Sequence, residues 1–190
     1  MIQDLILSIR SLATLWILTA FLYPLLIFLI GQVAFPFQAN GSLLTNAQGE
    51  VVGSALIGQT FTTDDYFWSR PSDVDYSEGE DANPTGVSGG SNLAPDNSEL
   101  LERIQAEAQR LRSEGIEPTA DLLYSSGSGL DPHISPAAAE AQVDRVAQAR
   151  GLSVDEVRSL IAQNTDGRFL GIWGEPGVNV LALNLALDNL

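Results

Sequence analysis

Apolar positions run almost without interruption from Leu12 to Phe35, then break into short stretches for the rest of the chain. From Leu12 to Ala34 the 23 residues include no acid and no base. At roughly 1.5 Å rise per residue a helix of that length covers about 35 Å, enough to cross the hydrocarbon core of a bilayer. The pattern predicts a transmembrane helix over residues 11–35, an N-terminus of ten residues before it, and one domain over residues 36–190. Pro24 and Gly31 do not defeat this helix, because lipid offers its backbone groups no other partner and a kink is tolerated. Trp16 near one end, with Phe35 and Phe37 near the other, suits interfacial anchoring. A cleaved signal peptide is the rival reading, but the apolar run is about twice a signal h-region and no small-x-small cleavage pattern follows it closely.

Beyond the helix the periodicity changes repeatedly. Glu50 to Gly58 is a β-type run, and Phe61 to Trp68 holds four aromatics. From Ser72 to Asn97 the chain turns to Gly, Pro, Ser, Asn and acid, a loop of about 25 residues of the length that compact domains keep for function or leave disordered. Asn97 or Ser98 caps a predicted helix to about Glu114 with Leu100, Leu101, Ile104, Ala108 and Leu111 on one face. Leu122 to Tyr124 is a short strand candidate, and Ser125 to Gly129 forms a second glycine-rich loop. A helix is expected from the Ser135 cap and Pro136 to Arg150, and another after the Ser153/Glu156 capping box. The run Val178 to Leu187 is apolar enough for a buried strand, although periodicity does not separate it from a helix. The fold class expected is α+β: one membrane helix followed by a single mixed α and β domain with two long glycine-rich loops.

Charge fixes the setting. The chain has 9 basic residues, all arginine, against 24 acids, a formal net charge of −15. Without Asp4 and Arg10 the body keeps 23 acids and 8 bases, so it carries the whole excess. Such a body is repelled by phosphate backbones and anionic headgroups, which argues against nucleic-acid binding. The α-amino group and Arg10 precede the apolar run, and the next base is Arg70. That asymmetry predicts a cytoplasmic N-terminus and an extracytoplasmic body on a single-pass protein of the cell (inner) membrane. The absence of cysteine excludes disulfides and thiolate metal sites.

Candidate chemistry is sparse. Gly86 to Gly90 fits the G-x-S-x-G pattern, and Ser88, Asp131 and His133 follow the chain order of α/β-hydrolases; a membrane-anchored serine hydrolase is therefore the alternative reading. The elbow needs a strand before the serine and a helix after it, whereas loop is expected on both sides. The acids Asp73, Asp75, Glu78, Glu80 and Asp81 lack the glycine and bidentate glutamate of an EF-hand loop, and His133 is the only histidine, so no metal site is expected. Its ring is expected to hydrogen-bond near the mouth of the helix starting at Ser135. Ser88 to Asn92 and Ser125 to Gly129 have the donors of an anion loop, yet no lysine exists for a Walker A motif, and plain turns look the same.

Six blocks taken together resemble one family: Gly53 to Gln59, Tyr66 to Ser72, Ser88 to Leu93, Ser126 to Ser135, Arg145 to Arg150, and Gly171 to Leu181. The chain is similar to KdpC, the C subunit of the bacterial Kdp-type potassium-transporting ATPase. The resemblance implies a single-span, non-catalytic subunit of a high-affinity potassium importer, with no catalytic residues of its own. Its implied partners are a channel-like potassium-translocating subunit, a P-type ATP-hydrolysing subunit and a small one-helix subunit. The family is described as a catalytic chaperone raising the pump subunit's ATP affinity, which implies ATP as a ligand at Ser88, Gly89, Gly90, Ser91 and Asn92. An extracytoplasmic body conflicts with direct contact to a cytoplasmic ATP site. The acidic charge instead suggests a domain at the outer potassium entrance, with Arg70, Asp131 and His133 fixing the two loops against each other or against the channel subunit. The chain departs from the family's usual pattern at Ala94, often glycine, and Gly177, often larger.

Overall fold

A computed structural model describes residues 2–74, 76 and 87–190. Asp75, Glu78, Glu80, Asp81 and Gly86 lie outside the described residues. The chain divides into two compact units, Met1–Leu43 and Leu44–Leu190.

The first unit is helical. Helix α1 (Ile2–Ile17) passes through a π-helical stretch (Leu18–Leu22) into α2 (Tyr23–Ala34), and a single turn, α3 (Pro36–Ala39), follows. The helix starts ten residues before the apolar run because nothing in Ile2 to Ser11 breaks it. The π stretch falls just before Pro24, whose ring lacks an N–H and crowds the preceding turn, so the ladder widens there instead of breaking. The 33-residue helical run Ile2–Ala34 is long and apolar enough to cross a membrane.

The second unit is mixed. Strands β1 (Leu43–Thr45) and β2 (Val51–Ser54) pair around the Asn46–Gly49 turn. Helix α4 (Ser98–Ser113) starts where Asn97 Oδ1 accepts the Glu99 N–H at 2.8 Å. Its inward side holds Leu100, Ile104 and Leu111 but not Leu101, which is exposed. Residues Leu122 to Tyr124 are not a strand: α5 (Ala120–Leu123) is one helical turn closed by N–H groups on Thr119 O. Three apolar residues are too few to show a period.

Strand β3 (His133–Ile134) falls between the predicted glycine-rich loop and the predicted helix, where no strand is expected, and the helix expected from Ser135 to Arg150 is two: α6 (Pro136–Glu140) and α7 (Val143–Arg150). They part at Gln142, whose fully buried side chain bonds the backbone of Trp68 on both sides: Oε1 accepts its N–H at 2.8 Å and Nε2 donates to its carbonyl at 3.2 Å. Helix α8 (Val154–Gln163) begins with the predicted capping box of Ser153 and Glu156. Strands β4 (Thr165–Asp166) and β5 (Gly177–Asn179) follow, and α9 (Val180–Asp188) closes the chain. The run from Val178 is thus strand for two residues only. Asn179 ends it and turns its Oδ1 to the Ala182 N–H at 3.0 Å, which caps a helix.

The three short strands form an antiparallel sheet in the order β3-β5-β4. Helices α6 and α9 pack against β5, and α8 packs on α6, α7 and α9, with Ile134, Val143, Val146, Val157, Val178 and Leu183 in the core. Phe67 and Trp68 enter that core from an irregular segment, held because Asn184 bonds both backbone groups of Phe67 as Gln142 does those of Trp68. Apolar rings can leave regular structure only if their backbone finds such partners.

Candidate functional site

Because Phe67 and Trp68 are pinned, the next residues, Arg70 to Asp73, lie along the segment Ser125 to His133. Ser126 donates its N–H to Pro71 O at 2.9 Å, and Arg70 Nη1 lies 2.9 Å from Asp131 Oδ2. The other oxygen of Asp131 accepts the His133 N–H at 3.0 Å, an Asx-type turn leading into β3. Hydrogen bonding to His133 and the Arg70 charge outweigh partial burial and hold the Asp131 carboxyl below its ordinary value.

The imidazole of His133 sits between two carboxylates. Nδ1 lies 3.8 Å from Asp131 Oδ1, and Nε2 lies 3.0 Å from Asp166 Oδ2. Asp131 first, then Asp166, favours the imidazolium over the opposing effect of burial, so its pKa is raised. The ring does not bond at the mouth of α6; there Asp121 Oδ2 accepts the Ser135 N–H at 2.6 Å. Arg70, Asp121, Asp131, His133, Asp166 and Glu175 border an open cleft of about 370 Å³.

A second group, missed in the sequence, joins the glycine-rich loops. Asp73 accepts from Arg103 Nη1, from Ser125 Oγ and from the Ser91 N–H, the last at 2.8 Å. Burial opposes ionisation here, but bonds from Ser125, Ser91 and Arg103 prevail and the Asp73 pKa is lowered. Gly89 donates its N–H to Ser128 O at 2.9 Å, and a Cβ on Gly90 would sit 3.3 Å from Gly127. Residues Ser88 to Asn92 therefore lie against Ser125 to Gly129, with Ser88 and Asn92 exposed and Gly89 to Ser91 half-buried. Gly129 completes the contact: its φ is +67°, and a Cβ there would stand 2.2 Å from a Val74 methyl.

A third arrangement surrounds Trp68. The guanidinium groups of Arg110 and Arg145 lie over its ring at 4.3 and 4.1 Å from the centroid. Arg145 also donates to the carbonyls of Asp64 and Tyr66 and to Gln142 Oε1. Burial lowers its pKa to about 10, which leaves it charged at neutral pH.

The nucleophile-elbow context is not met among the described residues. Residues 87–94 form neither strand nor helix, and a serine hydroxyl would have to displace Asp166 from His133 Nε2. What the site residues do is fasten segments distant in sequence: Arg70 to Asp131, His133 to Asp166, Asp73 to Arg103. The signal that could have revealed Asp73 and Arg103 is charge on the inward face of α4, where Arg103 falls between Leu100 and Ile104.

Together these features define an acidic α+β protein with one helix long and apolar enough to cross a membrane, and with charged side chains spent on internal clasps. The family described as KdpC, K+-transporting ATPase, c chain, matches residues 5–189. The chain is 69% identical over 189 residues to a potassium-transporting ATPase KdpC subunit of Synechocystis sp., covering all of both chains. It is 59% identical to KdpC subunit 2 of Nostoc sp. over 98% of this chain and 94% of that one. It is 49% identical to the KdpC subunit of Geobacter sulfurreducens over 96% of each. The chain belongs to the KdpC family.

Proposed function

We propose that this chain is an accessory, non-catalytic subunit of the Kdp potassium-transporting ATPase, held in the cell membrane by Ile2–Ala34 with its N-terminus cytoplasmic and its body extracytoplasmic. Its partners in this reading are the channel-like subunit, the P-type ATP-hydrolysing subunit and the small one-helix subunit. The observation that carries the role is where the positive charge goes. Arg70, Arg103, Arg110, Arg150, Arg158 and Arg168 are each paired with a carboxylate. The excess of carboxylates is thus left to the surface, and the body's field attracts cations. Placed over the outer mouth of a potassium pathway, it raises local cation concentration and braces the assembly.

Deleting the subunit should abolish ATP-driven uptake at micromolar potassium, and normal uptake without it rejects the role. Protease shaving of sealed spheroplasts tests the topology: residues after Phe37 must be cut from outside.

The nucleotide reading of Ser88 to Asn92 makes a different demand. The N–H groups of Gly89 and Ser91 already serve Ser128 O and Asp73, and the Asp73 carboxylate stands where a phosphate would approach. These contacts favour a loop clasp over a phosphate cradle. Photolabelling of this chain by an azido-ATP analogue, lost on changing Ser91 and Asn92, would restore the nucleotide role.

A further inference from the structure

Between β4 and β5 the chain makes a tip whose large apolar side chains are mostly exposed. Phe169 and Leu170 are each 71% exposed, Ile172 67% and Trp173 59%. Their order does not come from burial. Phe169 and Trp173 form a closed antiparallel bridge, with N–H to carbonyl distances of 2.8 and 3.1 Å, and their rings lie 6.3 Å apart. Below the bridge Arg168 Nη2 pairs with both carboxylate oxygens of Glu175, at 2.9 and 2.7 Å. An apolar tip thus stands on a locally neutral stem, and residues 169–174 carry no charge in a body of net −15.

We propose that this tip, Phe169 to Trp173, dips into the interfacial region of the bilayer on the side where the body lies, as a second contact beside the spanning helix. The inference rests on the anchor reading but not on which side the body occupies. Three features favour lipid. Isolated aromatic and aliphatic side chains on a convex tip, with a tryptophan among them, suit the headgroup boundary. The residues between Ala34 and Leu43 are few and include the helical turn α3, a short tether that gives lipid a high effective concentration at the body. The area is also telling. Four side chains of roughly 150 to 250 Å² each, about two-thirds exposed, give around 500 Å², below the roughly 800 Å² per partner of a stable protein interface. The acidic remainder of the body then sets the lipid preference, zwitterionic over anionic.

The chain has no cysteine, so a single Ile172→Cys reports on the tip alone. The full-length protein, labelled there with a nitrobenzoxadiazole probe, is reconstituted in phosphatidylcholine vesicles containing lipids spin-labelled near the headgroup. Quenching should exceed that of an identical probe at the exposed position Ser159→Cys by roughly threefold or more, as expected for a shallow interfacial contact. It should fall when Phe169 and Trp173 are changed to serine. It should also fall when phosphatidylglycerol replaces part of the lipid at low salt, and return as salt is added. Equal quenching at the two sites overturns the inference. So does a tip probe that stays open to aqueous iodide in lipid alone but is shielded in the complete ATPase, since the tip is then a protein contact. Extraction at alkaline pH separates the two readings: a chain that washes off the vesicles refutes the anchor, whereas one retained with an unquenched tip refutes this inference only.

Discussion

His133 reaches across β5 to Asp166, with Nε2 3.0 Å from Oδ2, although the two residues sit on strands that never pair. Between them runs β5, where Asp166 is opposite Gly177 and His133 is opposite Asn179. The diagonal is open because Gly177 has no side chain: a Cβ there would lie 3.2 Å from the His133 Cβ and 3.3 Å from its ring. One imidazole therefore ties together both outer strands, the Arg70 segment through Asp131, and the stem of the apolar tip.

The first consequence is a pH dependence with a definite sign. His133 binds its proton more tightly folded than unfolded, since its pKa is raised by Asp131 and Asp166. Its contribution to stability is fully present below the unfolded value of about 6.5 and is lost as pH rises through the folded pKa. Thermal unfolding of the full chain in detergent should show a midpoint that falls as pH rises above about 6.5, and His133→Gln should flatten that slope. Because His133 is the only histidine, its Cε1 proton gives one resolved NMR titration. Asp166→Asn should move that titration down; an unmoved curve would mean the contact is absent in solution.

Gly177→Val tests the open diagonal. Valine suits a strand, so the sheet should persist, but its methyls must push the ring away from Asp166. The titration should shift toward the ordinary histidine value while the circular dichroism spectrum stays unchanged. A raised pKa that survives the substitution would show that Asp131 alone sustains it.

Local signals were the readable ones. Asn97, Ser135 with Pro136, and Ser153 with Glu156 each bond within three residues of themselves, so a cap is visible in a short window. The apolar run is visible for the same reason, although the helix that holds it begins ten residues earlier. By contrast, Val178 to Leu187 is apolar except at Asn179 and Asn184 and has no period that separates strand from helix, so the change between them rests on the Asn179 cap. Gln142 splits an expected helix through a partner 74 positions away, and Asp73 meets Arg103 at a separation of 30 and Ser125 at 52. Nothing in a window of one helix or one loop encodes such pairings, which is why two loops fixed against each other could be expected while Asp73, Arg103 and Ser125, which join them, could not be named. Arg70, Asp131 and His133 were legible as polar residues near those loops; Asp166, which completes the His133 bridge, was not.

Asp73 makes the loop clasp testable. Asp73→Ala leaves the half-buried guanidinium of Arg103, the Ser91 N–H and the Ser125 hydroxyl without their shared acceptor, and should cost about 2 kcal/mol or more. Ser125→Ala removes the hydroxyl's bond to Asp73 and the one it accepts from Arg103 Nη2 but leaves the charge pair, and should cost about 1 kcal/mol. A double-mutant cycle with Arg103→Ala measures the coupling directly. Additive losses in urea unfolding would show that Asp73 and Arg103 act separately.

Gln142 carries the remaining prediction, because its amide satisfies a tryptophan backbone on both sides and an arginine besides. Gln142→Leu keeps nearly the same volume but leaves the Trp68 N–H and carbonyl unsatisfied in a buried place and takes one of its two bonds from Arg145 Nη2, which keeps Tyr66 O. A loss of about 2 to 4 kcal/mol is expected from stranded polar groups of this kind. Gln142→Glu should cost less at neutral pH. A carboxylate still accepts from Trp68 and pairs with Arg145, which burial leaves charged with a pKa of about 10, while only the donors to Trp68 O and Ala138 O are lost. Unfolding followed by tryptophan fluorescence ranks the two, and because Arg110 and Arg145 lie over the Trp68 ring, its emission should change most when the Arg145 anchor is removed. If leucine proves the milder substitution, the amide network is dispensable and the break between α6 and α7 needs another cause.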